Sequence, residues 1–167
     1  MSAVSLRPYL PADAERCAAI FRSSVEELAI EDYSAEQCAA WAARADEPDF
    51  PKRLAGALTL MALVDGEPAG FASLKGAEEI DMLYVDPNFA RRGVATALLD
   101  ALVRLAAARG ATTLASEVSD TARPLFERHG FQAQRRNLVQ LDDEWLANTT
   151  MTKRLAPPAG ASEPMRH

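Results

Sequence analysis

The stretch Ile80-Asp81-Met82-Leu83-Tyr84-Val85 reads as an apolar strand, and Val94-Ala95-Thr96-Ala97-Leu98-Leu99 reads as the start of an amphipathic helix. Between them lies a basic turn holding Arg91, Arg92 and Gly93. This unit constrains the chain more than any other segment, because a helix start is chemically asymmetric. Its first N–H groups have no partner within the helix, and the aligned peptide dipoles add partial positive charge at the same end. A phosphate fits there. Gly93 removes the Cβ that would hold a phosphate off the backbone, Ala95 keeps the next turn clear, and Arg91 and Arg92 add full charges. A P-loop would need Gly-Lys-Ser/Thr closing the loop, and a dinucleotide fingerprint would need three spaced glycines; neither is present. An ordinary strand-to-helix connection with solvated arginines is the plain alternative.

With 167 residues, 49% of them hydrophobic and 25% charged, the chain is long enough for one domain with its own core, expected over residues 1–155. A net charge of -6 argues against a nucleic-acid binder or an anionic-membrane binder, since both need a basic face. No apolar run approaches the ~20 residues of a membrane span, and the first residues show no basic-then-apolar leader, so a cytoplasmic location is expected. Cys17 and Cys38 lie far apart in apolar helical contexts and read as reduced core thiols. With only His129 and His167 besides, no metal site is expected.

Val4 and Leu6 alternate with polar residues up to Pro8, which suggests a first strand. Asp13 offers an N-cap to a helix carrying Cys17, Ile20, Phe21 and Leu28. Ser34-Ala35-Glu36-Gln37 is a capping box for a second helix through Cys38 and Trp41, and a helical turn follows near Lys52 to Ala55. Strand periodicity runs from Leu58 to Val64, turns at Asp65-Gly66 and returns through Ala69 to Leu74. Glu79 to Val85 is the next strand, and the helix from about Arg92 ends before Gly110. Thr113 to Val118 forms a strand, a short helix runs to Arg128, one strand opens at Phe131 and another spans Asn148 to Leu155. Residues 156–167, rich in Pro and Ala, read as a disordered tail.

Ala90-Arg91-Arg92-Gly93-Val94-Ala95, after a strand ending Leu83-Tyr84-Val85, resembles the acyl-CoA-binding motif of the GNAT superfamily of N-acetyltransferases, Gln/Arg-x-x-Gly-x-Gly/Ala at a helix start. Ala90 departs from the usual Gln/Arg, while the backbone cradle is independent of that side chain. A second stretch, Ser119 to Phe131, is similar to the family's Asn-x-x-Ala-x-x-Leu-Tyr-Glu-Lys-x-Gly-Phe element, and the element order matches over roughly Val4 to Leu155. The resemblance implies an α/β (α+β) fold: a mixed, mostly antiparallel, twisted sheet of about seven strands with flanking helices. Acetyl-CoA is implied as acetyl donor, with Arg91, Arg92, Gly93, Val94, Ala95 and Thr96 around its pyrophosphate. Leu83 would give a backbone N–H to the thioester carbonyl and Val85 would pair with the pantetheine arm, with Ser119 and Phe126 beside them.

Amine acetylation also asks for a proton acceptor. Glu79 matches the position where many family members keep a carboxylate base, and Asp81, two residues on and on the same strand face, is its rival. Ile80, Met82 and Tyr84 are expected on the opposite face. Phe126 stands where the family has its proton-donating Tyr, so the usual phenol is missing, and Ser119 stands in place of Asn. The first two helices and their loop build the acceptor side in this family. Glu31, Asp32, Tyr33 and Gln37 are the substrate candidates there, in a segment from Glu26 to Glu36 that has no Lys or Arg and suits a cationic amine. The expected function is direct acetyl transfer to the primary amine of a small molecule or peptide, in a ternary complex without a covalent cysteine step. A catalytically silent acyl-CoA-binding module and a nucleotide-phosphate binder are the alternatives, and a homodimer is allowed.

Overall fold

The apolar alternation read along the chain is realised as one seven-stranded sheet in a computed structural model that describes residues 3–156. From position 157 onward the expected tail lies outside the described residues. The order is β1 (Val4–Pro8), α1 (Ala14–Leu28), α2 (Ala35–Ala42), α3 (Asp49–Ala55), β2 (Leu58–Val64), β3 (Glu67–Lys75) and β4 (Glu79–Val85). Then follow α4 (Val94–Ala108), β5 (Thr113–Ser119), α5 (Arg123–Arg128), β6 (Gln132–Leu141) and β7 (Glu144–Arg154). The strands lie in the order β1-β2-β3-β4-β5-β7-β6, antiparallel throughout except where β4 meets β5. Among the described residues no helix is long and apolar enough to cross a membrane.

Two apolar clusters sit on opposite faces of this sheet. Cys17, Ile20, Phe21, Val25, Phe50 and Leu54 from α1 and α3 pack on Met61, Phe71 and Met82. On the other face Leu98, Leu99, Leu102 and Phe126 from α4 and α5 pack on Ala72, Leu74, Leu114, Val118 and Met151. Cys17 and Cys38 are buried free thiols. The Ser34 capping box forms as expected: Gln37 N–H donates to Ser34 Oγ at 3.1 Å and Ser34 N–H to Gln37 Oε1 at 2.8 Å. Asp13 stands at the N-cap position of α1 as expected, but its side chain makes no cap hydrogen bond to the helix. Its carboxylate accepts from the Arg7 guanidinium at 2.8 and 2.9 Å and from Leu10 N–H at 2.8 Å, tying β1 to the turn before the helix.

β4 departs from strict alternation. Ser73 faces Met82 and Leu74 faces Ile80, so Asp81 is an extra residue with no partner on β3. The bulge separates side chains that alternation would keep together: Ile80 joins the cluster under α4, whereas Met82 and Tyr84 join the one under α1 and α3. The expected common face of Ile80, Met82 and Tyr84 is therefore corrected. β4 and β5 pair only at Glu79↔Ala115 and Ile80↔Ser116, then part.

Candidate functional site

The basic turn folds into a cradle at the start of α4. Arg91 and Gly93 both take positive φ, 64° and 79°, and the helix begins at Val94 rather than near Arg92. Left-handed backbone costs an ordinary residue roughly 1–2 kcal/mol, which glycine avoids. A Cβ built on Gly93 would meet no protein atom within 4 Å, so the space beside it is open. Ala90, Arg91, Gly93, Val94, Ala95 and Thr96 line a cleft of about 330 Å³ whose far wall includes Ser24 and Leu28 of α1. Arg92 does not line it; its guanidinium lies over the Phe89 ring at 5.7 Å. Arg128, at the end of α5, supplies a cation to this cleft that sequence reading missed. Gly70 on β3 lets α4 approach, since a Cβ there would stand 2.9 Å from the Tyr84 carbonyl oxygen and 3.0 Å from Val94 Cγ1.

Past Ile80 and Ser116 the two strands leave a gap. Asp86 N–H donates to the Ala69 carbonyl at 2.8 Å, and antiparallel amides alternate in direction, so the N–H groups of Leu83 and Val85 point away from β3, toward the gap. A second cleft, of about 390 Å³, opens beyond the gap between α2, α3, β4, β5 and the β6–β7 hairpin. Trp41, Leu83, Tyr84, Ser119 and Ala122 line both clefts, which therefore meet where the strands part.

Aromatic rings floor the second cleft: Phe21, Tyr33, Trp41, Phe50 and Tyr84. Trp41 Nε1 donates to Tyr84 Oη at 3.3 Å. Burial pushes the Tyr84 phenol up to about 12, so it stays protonated at neutral pH and can only donate or accept hydrogen bonds there. The wall carries four carboxylates, Glu47, Asp49, Asp81 and Glu117, against two arginines, Arg44 and Arg53. Such an excess favours a cationic occupant.

The residues singled out from the sequence separate into three groups. Leu83, Val85, Arg91, Gly93, Val94, Ala95, Thr96 and Ser119 come together around the first cleft. Ser119 Oγ accepts from Ala122 N–H at 3.1 Å, fixing the turn into α5. Phe126 touches the second cleft but is only 2% exposed and packs edge-on against Phe131 at 5.0 Å, as a core residue does. Asp81 lines the second cleft with both oxygens on the Arg53 guanidinium, at 3.1 to 3.3 Å. Glu79 sits where β4 and β5 still pair and lines neither cleft.

Of the substrate candidates only Tyr33 reaches the second cleft. Its hydroxyl donates to the Ala147 carbonyl at 2.6 Å and accepts from Asp120 N–H at 2.9 Å, so it ties β7 to the end of β5. Gln37 donates to the Trp145 carbonyl at 2.7 Å, and Asp32 accepts from Thr121 Oγ1 at 2.9 Å. Gln37, Glu31 and Asp32 stand outside both clefts. Glu117, Asp49 and the two arginines had no sequence signal of their own; distant segments bring them together.

The family model for the Acetyltransferase (GNAT) domain matches residues 29–155. This chain belongs to the GNAT acetyltransferase family. The GNAT chain is 37% identical over 151 residues to the Escherichia coli K12 protein YafP, an uncharacterised N-acetyltransferase, covering 90% of this chain and 96% of that one. A GCN5-related N-acetyltransferase from Rhodopseudomonas palustris is 54% identical with a TM-score of 0.90, over 93% of this chain and 98% of the other. The PaiA N-acetyltransferase of Thermoplasma acidophilum, solved in complex with coenzyme A, shares the fold at 18% identity and a TM-score of 0.74, over 91% of this chain and 99% of its own. The seven-stranded mixed sheet is that of its GNAT relatives, and the protein is an acetyltransferase of that family.

Proposed function

We propose that this protein moves the acetyl group of acetyl-CoA to a primary amine by direct attack in a ternary complex. The observation that carries this reading is the meeting of the two clefts across Leu83, Tyr84, Ser119 and Ala122. A donor laid along the cradle and the gap brings its thioester to the same wall that an acceptor reaches from the other side. Oriented reactants of this kind gain the large advantage of an effectively unimolecular step. PaiA, a neighbour of the same fold, was solved with coenzyme A, which supports the placement of the donor.

In this reading the N–H groups at the start of α4 take the pyrophosphate, with Arg91 and Arg128 beside them, and Val85 pairs with the pantetheine arm. Leu83 N–H faces the gap and donates to the thioester oxygen as it gains charge. Cys17 and Cys38 line neither cleft, and burial pushes the Cys17 thiol up to about 12, so no covalent acetyl-cysteine enters the path. The acid-rich second cleft suits a small amine or the amino group of a peptide. Asp81 and Glu79 are the strand carboxylates proposed from the family pattern. One carries Arg53 and the other stands outside the cleft, which turns attention to the remaining wall.

Free-thiol release from acetyl-CoA, measured with a panel of mono- and diamines, amino acids and peptides, tests the reading. Turnover with an amine is expected. Tight coenzyme A binding without turnover of any amine would favour the silent binding module.

A further inference from the structure

Among the carboxylates on the wall of the second cleft, Glu117 stands apart. It is the first residue of β5 after the last β4–β5 pair, so it sits at the mouth of the gap. It lies opposite Thr150 on β7, and that register places two neutral donors on one of its oxygens. Asn137 Nδ2 donates to Oε2 at 2.8 Å and Thr150 Oγ1 donates to the same atom at 2.9 Å. Asn137 is itself held by Asn148 at 3.0 Å, its cross-strand partner. Glu117 Oε2 is thus fixed, while Oε1 has no protein partner among the described residues.

Charge matching separates Glu117 further from its neighbours. Asp81 carries Arg53 on both oxygens, and Glu47 takes Arg44 at 2.7 Å. Asp49 lies on the first turn of α3, where a carboxylate is already favoured by the helix dipole. Arg135, the cation that joins the Asn137 network, bonds Asn137 Oδ1 at 2.9 Å and not the carboxylate. Among the described residues no cation pairs with Glu117, although it lines a cleft that suits a cation.

Building on the N-acetyltransferase reading, we propose that Glu117, and not Glu79 or Asp81, receives the acceptor's proton. The incoming ammonium gives one proton to Oε1 and becomes a free amine. Its nitrogen lone pair forms the N–C bond at the acetyl carbonyl, the C–S bond breaks, and the sulfur leaves with the electron pair. The second proton, lost from nitrogen as the amide forms, ends on that thiolate, and Glu117 returns its own proton to solvent. Asn137 and Thr150 are positioning residues: they hold Oε2 so that Oε1 faces the amine.

The test uses the full chain, acetyl-CoA and the best amine from the thiol-release panel, with kcat/KM measured across pH for wild type, Glu117→Gln, Glu117→Asp and Asp81→Asn. Gln keeps an oxygen for Asn137 and Thr150 but cannot take a proton. Glu117→Gln is expected to lower kcat/KM about 10² to 10⁴-fold and to erase the rising limb of the pH profile, with coenzyme A affinity by calorimetry unchanged. Glu117→Asp should retain the limb at a reduced rate, and Asp81→Asn, whatever it does to the rate through the cleft wall, should retain the limb. A Glu117→Gln enzyme with the wild-type limb and rate overturns the inference, as does one whose activity falls only because coenzyme A no longer binds. Failure of the wild type to acetylate any amine would overturn the parent reading, and this inference with it.

Discussion

At the scale of single residues, the backbone of Gly93 and the ring of Phe126 show how far a side chain's identity predicts its role. Gly93 is needed twice, for a φ of 79° and for open space where a Cβ would project. Gly93→Ala is expected to keep the fold at a cost of roughly 1–2 kcal/mol and to weaken coenzyme A, whereas Gly93→Glu should abolish binding by placing a bulky anion at the cradle. Calorimetry showing wild-type affinity for Gly93→Glu would displace the pyrophosphate from this turn. Phe126 fills the place of the family's phenol yet lies in the core against Phe131, so no proton donor is found there. Tyr84, read from the sequence only as strand apolar surface, is the phenol that the fold brings to the shared wall.

Elements were largely legible, because each carries its own periodicity and punctuation. The capping box at Ser34, the Asp65-Gly66 turn and the apolar stripe of α4 all act locally. The β6–β7 hairpin was harder to bound: its strands are mostly polar, and its turn has Asp142 at a φ of 53° in place of glycine, so β7 begins at Glu144 and not at Asn148. The bulge at Asp81 left no trace either, since it arises from how β3 registers against β4. The same reason divides the site. The proposed cradle is backbone chemistry written in consecutive residues, while the wall of the second cleft depends on β5, β6 and β7 standing in register, which no short window records. Gly70 belongs with the elements it separates. Gly70→Ala should push α4 from β3 and β4, cost about 1–3 kcal/mol and weaken coenzyme A through Val94 at the cradle. A thermal melt and a coenzyme A titration both matching wild type would refute that coupling.

Across the whole molecule, helices on both faces bury one sheet, and its three tyrosines report the alkaline limit of that arrangement. Burial raises Tyr33 and Tyr9, and takes Tyr84 to about 12, from an ordinary value of 10.0. Groups raised on folding contribute stability that is fully present below their unfolded value and lost as pH rises through the folded one. Stability should therefore decline between about pH 10 and pH 12, and phenolate absorbance should lag behind that of free tyrosine until unfolding. Phenolate appearing near pH 10 with the fold intact would contradict the burial. At the acid end Asp13 and Asp120, lowered by Arg7 and Arg136, hold their contribution above 3.8 and lose it as pH falls through their folded values. The indole of Trp41 forms part of the wall common to both clefts, while Trp145, the chain's other tryptophan, is 54% exposed on β7. The molecule thus carries its own optical reporter. In a Trp145→Phe background, coenzyme A and the acceptor should each shift the emission of the same fluorophore, and the shift from both together should differ from the sum of the two. Strictly additive shifts would mean that the two ligands never share that wall.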